Sequence, residues 1–255
     1  MPGLNKLLRG ILKYRTNLQP HVLKQFQRVK DNPQPSSVMF SCMDSRLIIT
    51  KMINQDVGDM FLVRNAGNLI PNNDSLSFDS VTTEPAALEL GCVINKIRHV
   101  LVCGHSDCKA MNALYEMMDS VQKHEGTPLQ IWLKRHGART IVKYKELLQV
   151  GGVGPIKFQA ETPEKVFDAY IDVDNKFKPV DKLSQVNTLQ QLQNIASYPF
   201  LRDKLESGLV RMHALWIDIY TGDFYMFCRD YNRFVLVDEE SYQNLLDDGE
   251  SVTDY

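Results

Sequence analysis

Residues 99–108 read "HVLVCGHSDC": an apolar run closed by a glycine and a histidine, then a short polar turn and a cysteine. The run reads as a buried strand, and "DCKAMNALYEMM" (107–118) as a helix that begins at its end. In sheets built from such units, binding sites form outside the carboxyl ends of the strands. His105 therefore stands at a strand end with Cys108 three residues on, in the first turn of the helix, where an imidazole and a thiolate can converge on one ion.

The same pattern extends outward. "VMFSCMD" (38–44) is a short buried strand that delivers Cys42 to its end, and "RLIITKMINQ" (46–55) reads as a helix. "DMFLVRNAGN" (59–68) is a second strand ending in a small-residue turn, and "EPAALELGCVIN" (84–95) a helix suited to close packing. Alternating strands and helices predict an α/β fold with a mostly parallel central sheet flanked by helices. "LVRMHALWIDIYTGDFYMFCRD" (209–230) predicts two strands around a "TG" turn, a C-terminal hairpin that adds an edge to the sheet.

"LNKLLRGILKYRTNL" and "HVLKQFQRVK" have helical apolar spacing, which makes residues 1–32 an N-terminal helical arm ended by "DNPQPSS". Residues 123–186 form an excursion without an evident role; "NTLQQLQNIASYPFLRDKL" (187–205) resumes as helix, interrupted at Pro199. The 255 residues suit a single domain over 1–255.

Apolar residues make up 44% and charged residues 24%, so neither disorder nor a fibre is indicated. No apolar run approaches the length of a membrane span. A net charge of −2 from 29 basic and 31 acidic residues gives no reason to expect a nucleic-acid partner. Charge is uneven at the ends: seven basic residues from Lys6 to Lys30 precede the first acid, Asp31, whereas 238–254 is rich in Asp and Glu. A basic, acid-free, amphipathic start has two compatible readings, a mitochondrial targeting segment, with cytoplasmic location otherwise, or a helix that packs on the domain or on a partner. The five cysteines are odd in number and follow no secretory signal, which favours free thiols or metal ligands.

Cys42, His105 and Cys108 offer two sulfurs and one nitrogen, a set suited to tetrahedral Zn²⁺, one per chain. Structural zinc usually closes with four protein ligands, whereas catalytic zinc keeps a place for water. Asp44 decides between them, because it can ligate zinc or accept a hydrogen bond from its water. Arg46, two residues on, can hold that carboxylate in a paired fork, keeping it ionised and off the metal. Cys92, Cys103 and Cys228 lie in apolar runs and read as buried small hydrophobes. "CMDSR" is not a phosphatase loop, since three residues rather than five separate Cys from Arg. "VGGVGP" (150–155) lacks the Lys-Ser or Lys-Thr of a phosphate cradle and reads as a hinge.

"CMDSR" followed about sixty residues later by "HSDC", with "VRNAGN" and "EPAALELG" between them, resembles the β-class carbonic anhydrases. "ALWIDIYTGDF" resembles that family's final strand and turn. The resemblance implies zinc on Cys42, His105 and Cys108, a catalytic dyad of Asp44 and Arg46, and reversible hydration of CO₂ to bicarbonate by a zinc-bound hydroxide. It implies a homodimer embraced by its N-terminal helices, possibly a tetramer, and a substrate pocket walled by Phe61 and Ala66, with Gln34 reaching across the dimer. Lys109 and Leu90 depart from the family's usual Gly and from a plant-type Tyr. Two other readings of the same residues are hydrolysis of a CO₂ analogue such as carbonyl sulfide or carbon disulfide, and a zinc-stabilised binding protein with Asp44 permanently on the metal.

Overall fold

The computed structural model describes residues 2–77, 80–119 and 126–250. Its strands are β1 (Ser37–Cys42), β2 (Met60–Asn65), β3 (His99–His105), β4 (Ile156–Gln159), β5 (Val166–Ala169), β6 (Arg211–Ile217), β7 (Phe224–Cys228) and β8 (Arg233–Leu236). The sheet runs β2-β1-β3-β6-β7-β8. Its first three pairings are parallel and the last two antiparallel, so β7 alone runs against the others, while β4 and β5 pair separately. Every residue of β1 is buried, as a strand covered on both faces requires. The chain leaves β1 to one side for β2 and returns on the other for β3, so the switch point of the topology lies between β1 and β3.

The helices are α1 (Pro2–Lys13), α2 (Gln19–Val29), α3 (Ile49–Met52), α4 (Thr83–Leu88), α5 (Lys109–Glu116), α6 (Pro128–His136), α7 (Ala138–Gln149), α8 (Pro179–Ala196), α9 (Arg202–Glu206) and α10 (Tyr242–Glu250). α8 is buried along nearly its whole length although much of it is polar. Its amides serve the loop after β2: Asn187 Nδ2 donates to the Gly67 carbonyl (3.0 Å), Asn194 Nδ2 to that of Ile70 (2.8 Å), and Gln191 Oε1 accepts from the Ile70 N–H (2.7 Å). A buried loop is tolerated here because these side chains satisfy its backbone. Gly104 lets α8 come close, since a Cβ there would lie 2.2 Å from Thr188 Oγ1 and 3.0 Å from the Trp216 ring.

Several expectations are corrected by tertiary context. Residues 46–55 form only the single helical turn of α3. α8 begins at Pro179, eight residues before the helix legible in the sequence, because its N-terminal half is set by packing on β3 rather than by an apolar stripe. The hairpin at the "TG" turn forms, but β6 is an interior strand paired with β3, and β8 is the outer edge. The excursion consists of α6, α7, the β4–β5 ladder and the first residues of α8, with 123–125 outside the described residues. Glycines 151, 152 and 154 take positive φ in the turn into β4, which accounts for "VGGVGP".

α1 and α2, joined by a π-helical turn over Tyr14–Leu18, form the predicted arm. α2 is tied to its own chain by Gln25 Nε2, which donates to Asp56 Oδ1 (2.7 Å). α1 leaves Leu4, Leu7, Leu8, Ile11 and Leu12 exposed on one chain, an apolar face a twelve-residue helix does not sustain alone in water. Among the described residues, no helix is long and apolar enough to cross a membrane.

At the amino ends of the strands, α10 covers a stacked histidine pair. His99 Nδ1 lies 3.1 Å from His213 Nε2, and Glu250 pairs with both Arg211 and His99. Burial, reinforced by His99 and two arginines, pushes His213 down to about 3, and burial lowers His99. The folded chain therefore refuses protons that the unfolded chain accepts, so stability present above the ordinary value of 6.5 is lost as pH falls from there toward 3. Denaturant melts of wild type and His213→Gln between pH 7 and 4.5 should show a shallower acid slope in the variant, by up to about 1.4 kcal/mol per pH unit. Equal slopes would contradict this role.

Candidate metal centre

The pairing of β1 with β3 sets Ser41 against Cys103, so Cys42 and His105, one residue apart in register, close adjacent strands at their carboxyl ends. After β3 the chain turns through Asp107, at φ +51°, and Cys108 caps the amino end of α5. Cys42, His105 and Cys108 are all buried, and their ligand atoms lie within 4.8 Å of one another.

The hydrogen bonding leaves a ring nitrogen free for a metal. His105 Nδ1 lies 2.8 Å from the Ser106 carbonyl, which can only accept, so the proton sits on Nδ1. Nε2 is then a lone pair, and it is buried without a hydrogen-bond partner. A hydrogen bond from Cys108 pulls the Cys42 thiol down to about 4, with His105 acting in the same direction. Cys108 is pushed up by giving that bond and by burial, while N–H groups of Met111 and Ala110 at the start of α5 oppose the rise. The two sulfurs are 3.8 Å apart. Two thiolates on tetrahedral zinc, each at ~2.3 Å, lie about 3.8 Å apart, so the pair already has zinc spacing. The donor set fits zinc, which Cys42 Sγ, His105 Nε2 and Cys108 Sγ would hold.

An outer layer fixes these ligands. Ser184 Oγ on α8 donates to the His105 carbonyl (2.8 Å) and accepts from Trp216 Nε1 (3.1 Å). Ser106 Oγ donates to Asp218 Oδ1 (2.8 Å) and accepts from the Ile219 N–H (2.9 Å). Such partners hold a metal-binding imidazole in orientation. None was legible locally, because each joins residues about 30 to 110 positions apart.

Asp44 is turned into a fork. Arg46 Nε and Nη2 donate to its two oxygens at 2.9 and 2.7 Å, and the Arg46 N–H adds a bond of 3.0 Å. The guanidinium holds the Asp44 carboxyl well below the usual carboxylate range. Arg46 Nη1 and Nη2 also reach Asp107, at Oδ2 (2.8 Å) and at the carbonyl (3.0 Å). Arg64, in the "VRNAGN" stretch, donates to the carbonyls of Cys42 (3.1 Å) and Asp44 (2.7 Å) and fixes the path of the loop between them.

Cys42, Asp44, Arg46, Ala66, Lys109 and Leu129 line a cleft of about 450 Å³ together with Met43, Ser45 and Ala110. Ala66, expected in the substrate pocket, lies among the lining residues. Phe61 pairs with Val38 four residues before the end of β2 and packs on the other core face, away from its own chain's cleft. Gln34 is exposed before the amino end of β1, a strand's length from the same chain's cysteines. Leu90 is exposed and lines no part of the cleft. Burial pushes Cys92 up to about 11 and Cys103 up to about 12, and raises Cys228, consistent with inert core thiols.

The carbonic anhydrase family profile matches residues 37–224. The chain belongs to the β-carbonic anhydrase family. It is 46% identical over 248 residues to beta carbonic anhydrase 1 of Caenorhabditis elegans, covering 95% of this chain and 92% of that one. With the Caenorhabditis briggsae protein of the same name it shares 45% over 247 residues, 95% and 91% of the two chains. The solved β-carbonic anhydrase CcaA has the same fold, with a TM-score of 0.73 at 23% identity over 94% of each chain. A tetrameric β-carbonic anhydrase of Sordaria macrospora superposes with a TM-score of 0.65 at 17% identity, covering 89% of this chain and 97% of that one. As a member of this family the chain is a zinc enzyme that interconverts CO₂ and bicarbonate.

Metal analysis of purified protein should give about one zinc per chain for wild type and for Cys92→Ser, and little for His105→Ala or Cys108→Ala. Full zinc in either ligand variant would contradict the assignment.

Proposed function

We propose that this cleft is the catalytically open form of the site, in which Asp44 orients the nucleophile and Arg46 keeps Asp44 off the metal. The supporting observation is the fork itself: both Asp44 oxygens are engaged by Arg46, and the carboxylate side chain is only 10% exposed. Zinc, when bound, supplies a water acidified toward neutrality as nucleophile, less acidic than on three neutral histidines because two thiolates cancel the ion's charge. Asp44, ionised throughout the neutral range, can only accept a hydrogen bond, so it selects one orientation of the attacking oxygen. Ala66, Ala110 and Met43 give the apolar wall against which CO₂ can lie. The Arg46–Asp44 fork also disfavours the closed, binding-protein reading, since ligation by Asp44 would require breaking two charge-assisted bonds.

We further propose that the enzyme works as a homodimer, possibly paired into a tetramer, with the apolar face of α1 covered by the partner. Phe61 and Gln34, remote from their own chain's cleft, would then complete the partner's pocket. The basic, acid-free sequence up to Lys30 supports entry into the mitochondrial matrix with the arm retained. A reporter fused to residues 1–30 that stayed in the cytoplasm would refute that location.

Asp44→Asn should keep one zinc per chain and lose about 100-fold or more in kcat for CO₂ hydration by stopped flow. Full turnover would remove Asp44 from the reaction. Leu8→Asp should lower the mass measured by light scattering toward that of one chain, whereas an unchanged oligomer would mean that α1 is not the embracing element.

A further inference from the structure

We propose that Asp107 is a positioning residue for CO₂ hydration: it grips Arg46 from the side away from Asp44 and so keeps the Asp44–Arg46 fork closed. This rests on the reading of Asp44 and Arg46 given above. The guanidinium has one planar set of donors, and each edge has a distinct partner. Nε and Nη2 face Asp44, at 2.9 and 2.7 Å. Nη1 donates to Asp107 Oδ2 at 2.8 Å, and Nη2 donates also to the Asp107 carbonyl at 3.0 Å. With both edges held, the plane of the guanidinium cannot rotate.

The second grip matters because Arg46 is 41% exposed. An exposed arginine with a single carboxylate partner gains little from it and readily exchanges it for water. Two carboxylates from two different loops make a network in which each contact preorganises the other. Asp107 is itself held from behind. Its N–H donates to Asp181 Oδ1 at 2.7 Å, Asp181 is 4% exposed in the first turn of α8, and the left-handed φ of +51° turns the Asp107 side chain toward Arg46. A chain of contacts thus runs from α8 through Asp181, Asp107 and Arg46 to Asp44. Without the Asp107 carboxylate, Arg46 is free to swing into solvent, and Asp44 is free to turn toward the lone pairs gathered at Cys42, His105 and Cys108.

Two substitutions respect the backbone. Asp107→Gly deletes the side chain and tolerates the left-handed conformation, and Asp107→Asn tolerates it while keeping an acceptor without charge. By stopped-flow CO₂ hydration of zinc-loaded protein, Asp107→Gly should lower kcat about tenfold with KM nearly unchanged, and Asp107→Asn should fall between it and wild type. In an Asp44→Asn background, Asp107→Gly should add less than about a twofold loss, because its effect passes through Asp44. A merely structural role would instead multiply the two losses. In cobalt-substituted protein, thiocyanate binding followed by the visible spectrum should weaken in Asp107→Gly and recover in Asp44→Asn/Asp107→Gly, where no carboxylate competes for the metal. Wild-type kcat and thiocyanate affinity in Asp107→Gly, or fully multiplicative losses in the double variant, would overturn the proposal. Should Asp107→Gly lose zinc, Asp107→Asn is read by the same criteria. Full activity of Asp44→Asn alone would instead overturn the dyad reading, whatever Asp107→Gly does.

Discussion

The site depends on one constraint, the parallel, in-register pairing of β1 with β3. That ladder ends both strands within one residue of each other, with Cys42 and His105 as their last residues at the carboxyl ends. A slip along the ladder would displace one strand end from the other by about 3.3 Å per residue and separate the sulfur from the imidazole. Cys108 follows from the same placement, because a turn through Asp107 and the start of α5 return the chain to the strand end it has just left.

Holding that register requires something on the far side of β3, and α8 supplies it. Gly104 removes the Cβ that would keep α8 away, and Ser184 then reaches the His105 carbonyl directly. The buried amides of the same helix tie down the loop after β2, which carries Ala66 into the cleft. A polar helix in the interior is costly unless its groups are paired, and here their partners are the backbone groups of the loops that shape the site. The same helix carries Asp181 to Asp107, so scaffold and dyad share one element.

The candidate ligands and the alternation of strands and helices were legible because they are local: apolar runs of strand length end at Cys42 and His105, and Cys108 lies three residues further on. The Asp44–Arg46 fork was legible for the same reason, being two residues wide. The full extent of α8 was not, because a helix buried on all sides shows no amphipathic period, and neither was β8, a four-residue strand without a turn signature of its own. Asp107 was visible as a letter between two ligands, but its partner Arg46 lies 61 positions away and only the fold brings them together. Phe61 and Gln34 show the opposite case, in that the family pattern points to a pocket role which one chain's geometry cannot supply.

On the reading proposed above, Arg46 holds Asp44 away from the zinc ligands and leaves the cleft open to substrate. A crystal structure of the zinc-loaded protein at neutral pH tests it most directly. The expected result is zinc on Cys42, His105 and Cys108 with a solvent oxygen in the fourth place, and Asp44 still paired with Arg46. Asp44 bound to the metal, with Arg46 turned out into solvent, would contradict it.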